Sequence, residues 1–445
     1  MDVRLRNMLP GSPIRSTLAI AAALLSIAAA PAYADTVSLH SQGDDPRAIT
    51  ADYTTPADTI TGTVSDLALS VTVTPNGGSP ITIGFNPGTK LALGTTQADG
   101  AALEIAGVAG TCTSPTATVT LNAVVNTLPG TAKVLRLTFD QTCQGATGPL
   151  HGQVDIEQPY GEERVPGGAN GRFAVGAGST YAATYPARAQ GVSWAGLRLF
   201  HDGSSTTLNP VFTDAYPGGV DAGRLAYQLA DYRNGTVNSN VHLLDLSTMT
   251  DIPLPGVNTS RWEWNVDVSG NHLLFNRYLD ARFTRSEIRL YDLMTHASTR
   301  LALGSTARGR LLRADAVAGD YVAWESCVGA RCDITRYTAS TRARRTLRAT
   351  ASITYYDPAV LPDGTVYAVR AASGCGRHVA IVRWRPGTPP VTIHAFPNHV
   401  WVANTDSDTV AGTTYLYYAH ITCAARRGKA ATVYTARYPV AVPAP

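Results

Sequence analysis

Lysine is nearly missing from this chain: Lys90, Lys133 and Lys429 are the only three in 445 residues, so the 36 basic residues set against 33 acidic ones are almost all arginine. So even a balance carries no long-range field that would steer the chain to nucleic acid or to an anionic membrane, and neither is expected as a partner. No apolar run approaches the ~18 residues that a membrane-spanning helix needs, which argues against stable membrane insertion. Helical periodicity is almost absent beyond residue 34. Several chemical signatures are missing as well. There is no His-Glu-x-x-His, no phosphate-cradling Gly-x-x-x-x-Gly-Lys and no dinucleotide fingerprint. The nearest approach to a nucleophile elbow, from Gly191 to Gly196 around Ser193, is one residue too long. The ten histidines are scattered, with His394 and His399 the only close pair, and Asp406-Ser407-Asp408 offers two carboxylates without the further oxygens a calcium loop supplies. No metal and no cofactor is expected, and Asp406-Ser407-Asp408 reads as a turn.

What is present begins with an export signal. Arg4, Arg6 and Arg15 precede the small apolar run Leu18–Ala30, and Ala32-Tyr33-Ala34 supplies a small-x-small cleavage site. Residues 1–34 are therefore expected to be a signal peptide, cleaved after Ala34, with no cysteine following to carry a lipid. Its removal takes away three Arg and one Asp and leaves 33 basic against 32 acidic residues. A secreted, extracellular protein is expected, and a monomer is the simplest state.

Six cysteines in an exported chain favour disulfides over metal sites, because the compartment oxidises thiols. Cys327 and Cys332 flank four residues that suit a hairpin loop, and Cys112 and Cys143 are the only pair in the first third of the chain. Each pair is expected to be bridged.

From about residue 165 the chain repeats. Val220-Asp221-Ala222-Gly223, Val266-Asp267-Val268-Ser269-Gly270, Ala316-Val317-Ala318-Gly319 and Val360-Leu361-Pro362-Asp363-Gly364 are each the end of a strand running into a Gly turn and a second strand. Together with Gly178 and Gly412, these turn glycines are separated by 45, 47, 49, 45 and 48 residues. Asp245 and Asp292 both fall 22 residues after their glycine, at the end of a later strand in the unit. A period in the mid-forties with four strands per unit is the mark of propeller blades. On these motifs, residues 165–445 resemble the TolB-like, WD40-like six-bladed β-propeller, without the Gly-His and Trp-Asp dipeptides of a true WD40 blade. The last unit has little chain for a fourth strand, so a strand from 152–168 or just after it is expected to close the ring. Cys375 and Cys423 each lie eleven residues after their turn glycines, Gly364 and Gly412, so a third disulfide between neighbouring blades is expected.

Residues 35–160 differ in texture: alternating strands such as Leu67–Thr74 and Val134–Thr142 at sandwich-like spacing. Gly110-Thr111-Cys112, Phe139-Asp140-Gln141-Thr142-Cys143 and Leu150-His151-Gly152 resemble a β-sandwich domain of secreted actinobacterial proteins. The expected fold is thus all-β: a disulfide-stapled β-sandwich over 35–160 followed by a six-bladed β-propeller over 165–445.

Propellers converge the segments ahead of each blade's inner strand at one mouth of the axial channel. In this chain those positions hold Tyr216, Trp262, Trp264, Arg313, Tyr355, Tyr356, Asp357, Trp401 and Asn404. Aromatic rings interleaved with Arg, Asp and Asn make a polar-aromatic ligand platform, although rings of this kind also pack between blades. The arginine-rich run Arg308, Arg310, Arg313, Arg342, Arg344, Arg345 and Arg348 reads mainly as a solvated face. The favoured expectation is a non-catalytic binding protein whose partner is an extracellular protein or a cell-envelope glycan. The alternative is a carbohydrate-active lyase or hydrolase using Asp357, Arg313 and Tyr356.

Overall fold

The computed structural model describes residues 34–445 except 100–101, 128–129, 159, 166–171, 177–180, 190–191, 202–203, 211–212, 232–237, 306–308, 373–376, 399, 411–412, 423–432 and 441–445. The expected signal peptide therefore lies outside the described residues but for its last position. So do Gly178, Arg308, Cys375, His399, Gly412 and Cys423. Among the described residues every regular element is a β-strand, and residues 34–445 form one compact unit.

The N-terminal strands alternate buried and exposed positions, as in Thr59–Val64 and Leu69–Thr74, because one face of each sheet is packed and the other is wet. They form two antiparallel sheets, of six and four strands, whose inner faces feed one hydrophobic cluster including Leu39, Val71, Ile83, Leu135 and Ile156. The motif residues singled out in the sequence have physical reasons here. Gly152 pairs with Phe139 across two strands, and a Cβ at Gly152 would stand 2.0 Å from the ring, so only glycine lets the ring lie flat. Cys112 and Cys143 are bridged. Gln141 accepts from the buried Arg47, which also donates to Asp45 through Nε at 2.9 Å and Nη2 at 2.6 Å.

The described residues from 163 onward form six four-stranded antiparallel groups. The first strands of groups one to six are Phe173–Val175, Thr213–Asp221, Glu263–Ser269, Arg310–Ala318, Ile353–Val360 and Val400–Val410. Each packs against the first strand of the next group, and the sixth packs against the first, so the cycle closes. The third and fourth groups are also joined by the pair Ser305 and Arg310 into one eight-stranded sheet. The sixth group takes its fourth strand from Glu163–Arg164, inside the 152–168 segment expected to supply it. Gly270 and Gly319 sit at the expected hairpin turns with φ of 53° and 55°, where a side chain would be strained. Asp245 and Asp292 end their strands by accepting from the backbone amides two and three residues on.

Side chains on the first strands tie one group to the next. Asp267 Oδ2 accepts from Val317 N at 2.6 Å, and Asp406 Oδ2 accepts from Val175 N at 2.8 Å across the closure. Asp406-Ser407-Asp408 is consequently part of a strand, not the turn expected from its composition. The two sets of sheets share core: Phe173, Val175, Tyr415 and Tyr417 belong to the same cluster as the N-terminal sheets. Tyr415 hydroxyl donates to Asn126 Oδ1 at 2.6 Å across that junction.

Candidate functional site

Five of the six first strands carry a β-bulge at corresponding places. Register shifts fall between Pro217 and Gly219, Trp264 and Asp267, Ala314 and Ala316, Tyr356 and Ala359, and Ala403 and Asp406. A bulge leaves a residue unpaired and re-aims its side chain. The residues at the bulges are Gly218, Asn265, Val266, Asp315, Asp357, Pro358, Asn404 and Thr405, and Gly218, Asn265, Val266, Asp315, Asp357, Pro358 and Thr405 line one cavity of about 450 Å³. Gly218 is required there because a Cβ would stand 1.7 Å from Val266 O of the neighbouring first strand. Asn265 and Asp357 both adopt φ of 45°, the left-handed region that Asn and Asp tolerate better than most residues.

The cavity is charged. Asp315, Glu325 and Asp357 bring carboxylate oxygens within 4.8 Å of one another. Glu325, which is fully buried, accepts from the backbone N–H of Asp357 at 2.6 Å, and its own N–H donates to Asp315 Oδ2 at 3.0 Å. Burial raises the carboxyl of Glu325 to about 7, and the Asp357 charge adds to that. Burial raises Asp315 well above the ordinary range too, reinforced by the charges of Glu325 and Asp357. Two guanidinium groups offset them. Arg313 Nη1 lies 3.8 Å from Glu325 Oε2, and Arg172 donates to Asn265 Oδ1 at 2.7 Å with its guanidinium 5.4 Å from the centre of the Tyr216 ring. Burial lowers the pKa of Arg172. The Cys327–Cys332 disulfide walls one side, 3.5 Å from Glu325 Oε2 through the Cys327 sulfur, which as a disulfide donates nothing and ligates no metal. Of the groups here, Asp315, Glu325 and Asp357 are those that could hold a cation.

The residues anticipated from sequence separate into three places. Arg313, Tyr356, Asp357 and Trp401 line the cavity, with Tyr356 and Trp401 stacked at 5.1 Å and 9°. Tyr216 lies beneath Arg172. Trp262 and Trp264 lie outside the cavity wall and join an aromatic ladder. Trp262 meets Phe283 edge-on at 5.2 Å, Phe283 meets Tyr278 at 4.8 Å, and Tyr278 stacks on Trp264 at 5.5 Å. Burial raises the phenol of Tyr278, and the Arg313 charge acts against that rise; the ladder's last ring, Trp264, directly precedes Asn265, which lines the cavity. Asn404 is on the sixth first strand, but its side chain lies outside the described residues. Except for Trp262, these residues sit within the first strands and not ahead of them, because those strands begin earlier than the sequence pattern implies. His394 is separate, 3.6 Å from Glu162 Oε2.

Sequence reasoning missed Arg172, Asn265, Asp315, Glu325, Tyr278 and Phe283. Asp315 and Asn265 carried a weak signal: like Asp357, each follows a large side chain by one or two positions and is followed at once by a small or apolar residue. Glu325, on a second strand, had none.

No family model matches this chain, and no curated protein is similar to it in sequence. Among solved structures, it is similar to TolB from Acinetobacter baumannii (15% identity, 72% of this chain and 79% of that one, TM-score 0.37). It is similar to the β-propeller domain of the Trilobed protease from Pyrococcus furiosus (11% identity, 74% and 95%, TM-score 0.39). It is also similar to oligogalacturonate lyase from Vibrio parahaemolyticus (11% identity, 77% and 85%, TM-score 0.35).

Proposed function

We propose that this chain is an extracytoplasmic binding protein, a β-sandwich followed by a six-bladed β-propeller, whose cavity mouth takes up a strand of cell-envelope glycan. The observation that carries the reading is the run of rings Trp262, Phe283, Tyr278 and Trp264 leading from solvent, where Phe283 is 42% exposed, towards a charged cavity walled by Tyr356 and Trp401. Sugar rings offer an apolar C–H face that packs on aromatic planes, and a rim of hydroxyls that pair with carboxylate and guanidinium. A long polymer needs both along a path. Two disulfides support life outside a reducing cytoplasm.

The test is retention of the purified protein on insoluble cell-wall polysaccharide, beside a Trp262→Ala/Phe283→Ala variant with an unchanged circular dichroism spectrum. The native chain should be retained and eluted by soluble wall fragments, and the variant should pass through. Retention of both alike would refute the ladder's role, and retention only on wall stripped of glycan would point to a protein partner.

One observation favours a second, catalytic reading. A buried glutamate whose carboxyl titrates near neutrality, next to two further carboxyls, is the arrangement used for general acid-base work on glycosidic bonds. That reading requires new reducing ends or unsaturated products when wall glycan is incubated with the chain, and their disappearance in Glu325→Gln.

A further inference from the structure

We infer that the glycan taken up at the cavity is an acidic one, and that Arg172 and Arg313 receive the carboxylate of one of its uronic acid residues. The inference rests on the glycan reading above and names the chemical class that the cavity selects.

Arg172 is held in place by the first strands of neighbouring groups. It directly precedes the first strand of group one and donates from Nη1 to Asn265 Oδ1 at 2.7 Å, on the first strand of group three. Its guanidinium also lies 5.4 Å from the centre of the Tyr216 ring, on the first strand of group two. Asn265 offers its oxygen from the bulge between Trp264 and Asp267, in the left-handed conformation. Among the described residues the bond to Asn265 is the only hydrogen bond of this guanidinium, and no carboxylate forms an ion pair with it. A guanidinium carries five N–H donors, and its Nε–Nη2 edge can meet a carboxylate with two parallel bonds. In Arg172 that edge has no protein acceptor, while the residue forms part of the cavity wall.

Arg313, on the same wall, is equally uncommitted. Its side chain is 46% exposed, and the Glu325 carboxylate it faces stands 3.8 Å away, beyond hydrogen-bond length. The two cations act on each other: burial and the Arg313 charge both lower the pKa of Arg172, against the charges of Asp357 and Asp315. An anion between them relieves that repulsion. The cavity's own carboxyls do so only in part, because burial holds Asp315 well above the ordinary range and Glu325 at about 7, so near neutrality both retain much of their protons. The positive charge of the cavity is therefore permanent and its negative charge partial. A neutral sugar makes no use of that asymmetry. A uronic acid does, since it carries a carboxylate at the edge of a ring whose C–H face packs on an aromatic plane, and Trp401 shares the wall with Arg313. The cavity, about 450 Å³, lies within the usual size of small-ligand sites.

The experiment titrates peptide-free, soluble wall-glycan fragments into the full chain, untreated in one arm and with their carboxyl groups reduced to primary alcohols in the other. Untreated fragments should bind about tenfold or more tightly than reduced ones, the gain expected from hydrogen bonds between charged groups. Arg172→Lys keeps the charge and loses the fork. That variant and Arg313→Gln, each with an unchanged circular dichroism spectrum, should lose about the same factor for untreated fragments and nothing for reduced ones. Arg348→Gln, exposed and outside the cavity wall, should alter neither arm. Thermal melts with free glucuronate or glucose read the acid site without a polymer: glucuronate alone should raise the melting temperature of the native chain, and should not do so in Arg172→Lys. Equal binding of the two arms overturns the inference and leaves the glycan reading standing. Binding that survives carboxyl reduction but disappears once phosphodiesters are removed with hydrofluoric acid overturns it in favour of a phosphate-bearing ligand. Stabilisation by glucuronate with neither arm bound supports the acid site and removes the polymer, and no effect in either assay overturns both readings.

Discussion

Replacing Glu325 by Gln should make the protein more stable in alkaline buffer, an unusual outcome for a fully buried residue. The carboxyl titrates at about 7 in the fold against 4.5 in the unfolded chain, because burial and the Asp357 charge penalise its ionised form. A folded value above the unfolded one means that the native state holds the proton longer. Stability from this group is therefore full below the unfolded value and is lost as pH rises from there through the folded value. Each unit of difference corresponds to about 1.4 kcal/mol, so the penalty above neutrality is on the order of 3 kcal/mol. Gln keeps the volume and the acceptor for the Asp357 N–H, and it removes the charge. Thermal melts in EDTA, read by circular dichroism at several pH values, should find Glu325→Gln more stable than the native chain at pH 8 and nearly equal at pH 5. A variant that is less stable at pH 8, or that differs from the native chain by the same amount at both pH values, would refute this account of the carboxylate cluster.

Further outcomes follow from the rest of the fold. Asp45→Asn leaves the Arg47 guanidinium buried without its counter-charge and should cost about 3–5 kcal/mol in denaturant unfolding, with Asp45→Asn/Arg47→Met recovering much of the loss. Removing the Cys112–Cys143 bridge, separation 31, should cost more than removing Cys327–Cys332, separation 5; loop-closure entropy gives roughly 4 and 2 kcal/mol, measurable by paired Cys→Ala variants. Gly152→Ala should destabilise by about 1–3 kcal/mol through collision with the Phe139 ring, and adding Phe139→Leu should reverse part of that, since the smaller side chain leaves room for the new methyl.

The repeat was legible because its punctuation is local. Gly223, Gly270, Gly319 and Gly364 mark tight turns that a short stretch of chain dictates by itself, and the two described disulfides follow from spacing along single hairpins or a single sheet. The cavity was half legible. Tyr356, Asp357, Arg313 and Trp401 stand out as aromatic and charged residues at recurring places, but the short pattern around Asp315 and Asn265 does not record the bulges that bring them to the cavity, which exist only once the strands pair. Glu325 was invisible for a related reason. It sits on a second strand whose inward direction depends on its pairing with Arg313, and a lone glutamate among apolar strand residues carries no sign of its burial. Phe283 and Tyr278 were hidden in a hairpin loop and at a strand end, and they become a ladder with Trp262 and Trp264 only once the strands pair.

The central claim, that the ladder and the cavity together bind a glycan strand, is tested most directly by calorimetric titration of a soluble wall-glycan fragment into the native chain, Trp262→Ala and Trp401→Ala. The account predicts saturable binding that each substitution weakens at least tenfold, one at the outer ladder and one at the cavity wall. Heats that saturate identically in all three, with folding verified, would contradict it.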